Sequence, residues 1–266
     1  MKQDHPQIPL WNTPVPGDFQ PTLQPYALEG AGPRPFLLVI PGGGYCARMD
    51  SYEGEDICAH FNKLGLHTGL LRYRFHPQAH FPEPMRDLAR AIRMVRAHAK
   101  DWNIDPKRIG VCGFSAGGHL AAWGSVKGDT VDSLAGDEAD AFSPIPDFTI
   151  LAYPVINGLD HPHAGSFVHL IGAEHPTHEQ LFNMSADRFV TPKTPPVFIW
   201  CTAEDRTVPW QNTAAYATAC LTAGVQTSLH IFPYGGHGLH LGPGTLDIST
   251  WPGLAATFIK TFRTAL

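Results

Sequence analysis

The sequence predicts an α/β domain, a mostly parallel central sheet covered by helices on both faces. Three observations predict it. Short β-branched or apolar runs alternate with helical patterns along most of the 266 residues. The connections between them are short, which in strand–helix–strand units implies right-handed crossovers and a parallel sheet. With 43% hydrophobic and 16% charged residues, the chain can bury a large core without a disulfide or metal staple. No internal repeat or linker divides it, so residues 1–266 read as one domain.

The first clear strand spans residues 36–40 (FLLVI) and is ended by Pro41 and three glycines. Further strands are expected at 66–73, 108–112, 148–153, 197–201 and 227–232. Helical patterns fill the gaps at 51–64, 83–99, 116–125, 209–223 and 250–264. In the helix at 83–99, Leu88, Ile92, Val95 and Ala99 recur at helical spacing and define a core face. Arg86, Arg90, Arg93 and Arg96 recur on another face, which reads as solvated rather than as an anion site. Residues 154–196 interrupt the alternation, being rich in His, Pro and Gly with only a weak helical signal at 179–184. An insertion at this point of a parallel sheet is expected over the carboxyl ends of the strands, where ligands bind.

Charge and termini narrow the function. Lys+Arg 19 against Asp+Glu 24 leaves a formal charge of −5, the wrong sign for a phosphate-neutralising surface, so nucleic acid is not an expected partner. No apolar run reaches the roughly eighteen residues of a membrane-spanning helix. The opening residues, with Lys2, Asp4 and several prolines, lack the apolar stretch of a secretory signal, so a cytoplasmic location is expected. The five cysteines, Cys46, Cys58, Cys112, Cys201 and Cys220, are odd in number and widely spaced, which argues against a disulfide framework. Cys112 and Cys201 lie in apolar runs and read as core residues.

Gly113-Phe114-Ser115-Ala116-Gly117 lies between an expected strand and an expected helix, the context that G-x-S-x-G requires. A sharp turn there exposes the serine hydroxyl, and the flanking glycines let neighbouring backbone approach. The Ala116 N–H and the helix N-terminus then face a developing oxyanion. Pro41-Gly42-Gly43-Gly44-Tyr45 follows the first strand and matches the second half of an oxyanion hole, with Gly43 and Gly44 as donors. A phosphate-binding loop is disfavoured, because the Gly-Lys-Ser/Thr ending and the dinucleotide spacing are both missing.

A serine becomes nucleophilic near neutral pH through a general base oriented by an acid. Asp205 lies just past the strand at 197–201 and His237 just past the strand at 227–232, so both belong at the edge that carries Ser115. Glu204 is the rival acid and reads as an exposed neighbour. His240 is the rival base, and the paired glycines around His237 favour the latter. His161, His163, His169, His175 and His178 show no regular ligand spacing, so neither a metal nor another cofactor is expected.

These motifs carry a family resemblance over nearly the whole chain. It runs from Ile8-Pro9-Leu10-Trp11 through PGGGY, Tyr73-Arg74 and the Asp105-Pro106-Lys107-Arg108-Ile109 lead-in to GFSAGGHLA. It continues through His163-Ala164-Gly165-Ser166, Thr194-Pro195-Pro196, Asp205-x-x-Val208-Pro209 and Gly235-Gly236-His237-Gly238-Leu239. The chain resembles α/β-hydrolase esterases of the acetyl esterase/acetylxylan esterase type. That resemblance implies an α/β-hydrolase fold without a large cap domain, with Ser115 as nucleophile, His237 as base and Asp205 as its orienting partner. The Gly43, Gly44 and Ala116 amides would form the oxyanion hole. It implies hydrolysis of short acyl esters, acetyl groups on xylan-derived sugars above all, with a small-molecule or oligosaccharide substrate.

The residues alone reach only a serine hydrolase. An amide-cleaving relative would use the same triad, and a non-catalytic binding module on this fold remains the alternative from another class. Oligomeric state is not encoded in any motif.

Overall fold

Eight strands hydrogen-bond into one sheet in the computed structural model, which describes residues 6–30 and 32–262. They are β1 (Ile8–Pro9), β2 (Thr22–Tyr26), β3 (Arg34–Ile40), β4 (His67–Arg72), β5 (Ile104–Phe114), β6 (Thr149–Ala152), β7 (Val197–Thr202) and β8 (Thr227–Phe232). Their spatial order is β1-β2-β4-β3-β5-β6-β7-β8. The two pairings at the β1 edge are antiparallel, and every pairing from β4 to β8 is parallel. All six expected strands are present. β1 and β2 were not expected, since Pro25 removes a ladder donor from the TLQPY run and hides its strand character.

Seven α-helices connect the described strands: α1 (Asp56–Lys63), α2 (Glu83–Ala97), α3 (Ser115–Lys127), α4 (Ala164–Ile171), α5 (His178–Met184), α6 (Gln211–Thr222) and α7 (Trp251–Thr261). The helix expected at 51–64 opens as a π-helical turn, Ser51–Glu55, before α1. The expected end of the last helix at 264 lies outside the described residues.

Alternation along the central strands divides the core in two. Leu38, Ile40 and Val111 face Leu88 of α2, Leu120 of α3 and Tyr216 of α6. Leu37, Val39 and Cys112 face the opposite side with Ile57 and Phe61 of α1 and Trp251 and Ile259 of α7. The helices therefore cover both faces, as the sequence predicts. All five cysteines are free thiols, with Cys112 and Cys201 buried in the core. Among the described residues, no helix is long and apolar enough to cross a membrane.

The arginine stripe on α2 corrects the expectation of a solvated face. Arg90 is only 2% exposed, pairs with Asp137 and Asp140, and donates through Nε to the Leu10 carbonyl at 2.8 Å. Arg86 donates to the Asp132 carbonyl at 2.6 Å, Arg93 to Ser133 Oγ at 3.0 Å, and Arg96 to the Asp147 carboxylate at 2.8 Å. The stripe is only partly solvated, and its guanidinium groups are taken up by acceptors of the chain itself. Guanidinium groups at helical spacing staple residues 131–147 onto α2, with carbonyls and carboxylates of that loop as acceptors. Helical periodicity marks a second face but cannot reveal what chain will be laid across it.

A second buried pair ties the N-terminal segment to the sheet. Arg74 donates to Asp87 Oδ1 at 2.7 Å, and Trp11 Nε1 donates to the same oxygen at 2.9 Å. Trp11 and Arg74, two of the residues that carry the resemblance, thus meet at one buried carboxylate.

The register decides where the loops emerge. Ile40 lies opposite Gly113, Phe114 opposite Ala152, Ala152 opposite Trp200, and Thr202 opposite Phe232. The chain therefore leaves β3, β5, β6, β7 and β8 along one edge, which collects Gly42, Ser115, Tyr153, Asp205 and His237.

Candidate active site

Ser115 opens α3 directly after β5, and its φ is +51°, a left-handed value costly for a residue with a Cβ. The glycines on either side permit that turn. A Cβ at Gly113 would stand 2.2 Å from the Gly117 carbonyl oxygen, and one at Gly117 would stand 2.2 Å from the Ile40 oxygen. Strand, helix and the end of β3 therefore meet at backbone contact, and only hydrogen fits in the G-x-S-x-G positions at either side of the serine.

The acid and the base arrive from two other loops. His237 Nε2 lies 2.8 Å from Ser115 Oγ, and His237 Nδ1 lies 2.6 Å from Asp205 Oδ2. Asp205 is 5% exposed, and its Oδ1 accepts the amides of Thr207 and Val208, each at 2.9 Å. Those two amides fix the carboxylate plane and leave Oδ2 for the imidazole. With Nδ1–H donated to Asp205, Nε2 presents its lone pair to the serine hydroxyl.

The rivals are placed elsewhere. Glu204 Oε2 accepts the Gly235 N–H at 3.1 Å and so buttresses the loop that carries His237. The His240 ring lies 5.3 Å from that of Tyr52, and its backbone N–H donates to Tyr153 Oη at 3.0 Å. Neither contacts Ser115.

The PGGGY loop runs against the serine: a Cβ at Gly42 would come within 2.9 Å of Ser115 Cβ. Gly43 and Gly44 have φ of +128° and +63°, the first of them reachable at little cost only by glycine. Four side chains from distant segments pin the loop. Tyr73 O–H donates to the Pro41 carbonyl at 2.8 Å, and Glu53 Oε2 accepts the Gly42 N–H at 2.8 Å. His169 Nδ1 bonds the Gly44 carbonyl at 2.9 Å, and Tyr45 Oη lies 2.7 Å from His119 Nδ1. His119 Nε2 lies 2.7 Å from the Met184 carbonyl, an obligatory acceptor, so Nε2 carries the proton and Nδ1 accepts from Tyr45. Burial lowers the His119 pKa from 6.5 to about 4. Burial also raises that of Glu53, opposed by its hydrogen bonds to Tyr153 and Gly42.

Glu53, His119 and Tyr153 escape sequence reasoning. Glu53 and Tyr153 stand in no motif, and His119, although inside GFSAGGHLA, has no role there that the letters state; the signal that marks all three is burial of a polar group, a property of the assembled fold. In the sequence His169 reads as one of a group with His161, His163, His175 and His178. The structure disperses these: His169 holds Gly44, and His163 Nδ1 lies 2.8 Å from Ser166 Oγ. His161, His175 and His178 are exposed. A cavity of about 710 Å³ opens at the opposite ends of the strands, lined by Lys107, Pro195 and Phe262, and touches none of these residues.

The BD-FAE family matches residues 26–219 of the chain. The chain belongs to the BD-FAE family of α/β-hydrolases. Ser115 and Asp205 lie inside the matched BD-FAE segment and His237 beyond it. The chain is 37% identical over 248 residues to endo-1,4-beta-xylanase B of Butyrivibrio fibrisolvens, an alignment covering 92% of this chain and 38% of that protein. It is 33% identical over 210 residues to an acetylxylan esterase of Xylanibacter ruminicola, covering 77% of this chain and 41% of that one. The chain thus spans about two fifths of the length of these curated relatives. Among solved structures, an acetyl ester-xyloside bifunctional hydrolase from Caldicellulosiruptor lactoaceticus superposes with a TM-score of 0.91. It shares 39% identity, with 97% of this chain and 96% of that one covered.

Proposed function

We propose that this chain is a serine esterase that removes short acyl groups, acetyl above all, from acetylated xylose-containing sugars. The observation that carries it is the unbroken relay from Asp205 Oδ2 through His237 to Ser115 Oγ, with links of 2.6 and 2.8 Å, at the strand ends beside a glycine loop. In this reading Ser115 Oγ attacks the ester carbonyl as His237 Nε2 takes its proton. Asp205 keeps the imidazole in the required tautomer and stabilises the imidazolium. The Gly43, Gly44 and Ala116 amides, with the N-terminus of α3 behind them, take the oxyanion. As the acyl C–O bond breaks, His237 gives that proton to the departing alkoxide oxygen, which leaves as the sugar hydroxyl, and a water deprotonated by the same nitrogen then releases the acid from the acyl-serine.

The names of the relatives and of the neighbouring structure support the acetylated-sugar substrate, a small molecule or oligosaccharide. Residues 154–196 serve as the insertion over the reactive edge of a single domain. The Val155 amide donates to the Ser115 carbonyl at 3.0 Å, and α4 and α5 reach the PGGGY loop through His169 and the Met184 carbonyl. In this reading, two short helices in place of a large cap suit a bulky alcohol and a small acyl group.

The test combines labelling with product release. A fluorophosphonate should label the wild-type protein and not Ser115→Ala. Acetate release from acetylated xylo-oligosaccharides should exceed turnover of long-chain aryl esters and formyl amides. A folded protein whose Ser115 stays unlabelled would sink the esterase reading, and preferred cleavage of the amide would move it to the amidases.

A further inference from the structure

Glu53 is 3% exposed, sits on the π-helical turn before α1, and has no part in the triad. Its Oε2 accepts the Gly42 N–H at 2.8 Å, and its Oε1 accepts the Tyr153 O–H at 2.7 Å. Both oxygens act as acceptors, the arrangement of a carboxylate rather than of a carboxylic acid. Such charge-assisted bonds are short and strong, and they offset part of the cost of burying the charge.

Each partner leads to a different part of the site. Gly42 packs against the Ser115 Cβ and the Phe114 carbonyl, at separations that leave no space for a side chain of its own. Tyr153 follows β6, accepts the His240 N–H at 3.0 Å, and sets its ring edge-on to His237 with centroids 5.0 Å apart. One buried carboxylate thereby joins the loop after β3, the nucleophile turn and the loop after β8. These segments need such a junction. Three successive glycines offer no side chain by which the loop could be locked, and Tyr153 is held at a left-handed φ of +39°.

We propose that Glu53 is a positioning residue for acyl transfer, holding the Gly42–Gly44 backbone and the His237 loop in register with Ser115. It acts through Gly42 and Tyr153 and does not itself touch substrate. The proposal rests on the esterase reading above. Donors aimed at a developing oxyanion lose most of their effect when displaced by a fraction of an ångström, so the loss should fall on the chemical step and not on substrate binding.

Glu53→Gln keeps the shape but replaces one acceptor with a donor, so the Gly42 N–H and the Tyr153 O–H can no longer both be satisfied. With an aryl acetate, and per site titrated by a fluorophosphonate, kcat should fall about 10- to 100-fold, with KM changed less than about twofold. Tyr153→Phe removes only the hydroxyl and should show a smaller loss with the same split. The double variant should lose less than the product of the single losses, because both act through one carboxylate. Wild-type kcat per titrated site in Glu53→Gln, or a rise in KM alone, overturns the proposal. If Glu53→Gln does not fold, Tyr153→Phe decides, and an unchanged kcat there overturns it equally. Ser115→Ala run alongside separates the two claims. Turnover that survives in Ser115→Ala defeats the esterase reading and this proposal together, whereas turnover lost there but intact in Glu53→Gln defeats the positioning role alone.

Discussion

Asp205 divides its two oxygens between two tasks: Oδ1 holds the Thr207 and Val208 amides, and Oδ2 accepts from His237 Nδ1 at 2.6 Å. An amide in place of the carboxylate can keep the first task by presenting its oxygen to the two N–H groups. Its NH₂ then faces His237 and demands an acceptor at Nδ1, which puts the proton on Nε2 and removes the lone pair aimed at Ser115. We expect Asp205→Asn to fold normally and to lose about 10³- to 10⁴-fold in kcat on an aryl acetate, with little change in KM. Steady-state kinetics alongside a thermal melt checks this, and a loss below tenfold would contradict the assigned tautomer.

Gly117 lets the first turn of α3 rest on the end of β3, where an added Cβ would stand 2.2 Å from the Ile40 oxygen and 2.4 Å from the Pro41 oxygen. Both obstacles are backbone, so no flexible side chain can swing aside. Gly117→Ala should therefore force the helix away from the PGGGY loop. We expect a loss of about 1–3 kcal/mol of stability, typical of overpacking. Activity should drop per folded molecule as well, because the displaced loop lies against Ser115. Urea unfolding combined with active-site titration separates the two effects, and wild-type stability would show that the contact relaxes freely.

His119 makes stability depend on pH. Its pKa in the fold is about 4 against an ordinary 6.5, because burial disfavours the charged imidazole. Above 6.5 both folded and unfolded chains hold it neutral, and its contribution is complete. Between 6.5 and 4 the unfolded chain binds a proton that the folded chain does not, so stability falls with falling pH by about 1.4 kcal/mol per unit from this group. Below 4 the folded form protonates as well, the Tyr45 hydroxyl loses its acceptor, and the slope from this group ends. His119→Gln should be less stable at neutral pH yet show a flatter decline across that window. Urea midpoints measured through it give the comparison, and parallel curves for both proteins would remove His119 as the source.

What could be read from the chain was local. The runs at 36–40 and 197–201 are strands in any setting, because continuous β-branched and apolar residues bounded by Pro, Gly or Asp suit a buried parallel sheet. G-x-S-x-G states a backbone requirement in its own letters, and the chain order of Ser115, Asp205 and His237, after β5, β7 and β8, named residues that the fold brings within hydrogen-bond distance. β2 was hidden by Pro25, and α4 by the His- and Gly-rich composition around 161–172. In both, tertiary pairing overrode weak local preference.

The sequence by itself determined the class of fold, the strand ends and the residue types that could serve acyl transfer, since each follows from periodicity or from the sterics of a few neighbouring residues. Only the tertiary structure decided that Arg90 is buried against Asp137, that His119 is neutral beneath Tyr45, and that Glu53 joins Gly42 to Tyr153. Those partners lie 11 to 100 residues apart. A buried polar group is stable only when satisfied, and its partners come from whichever segments the fold lays beside it.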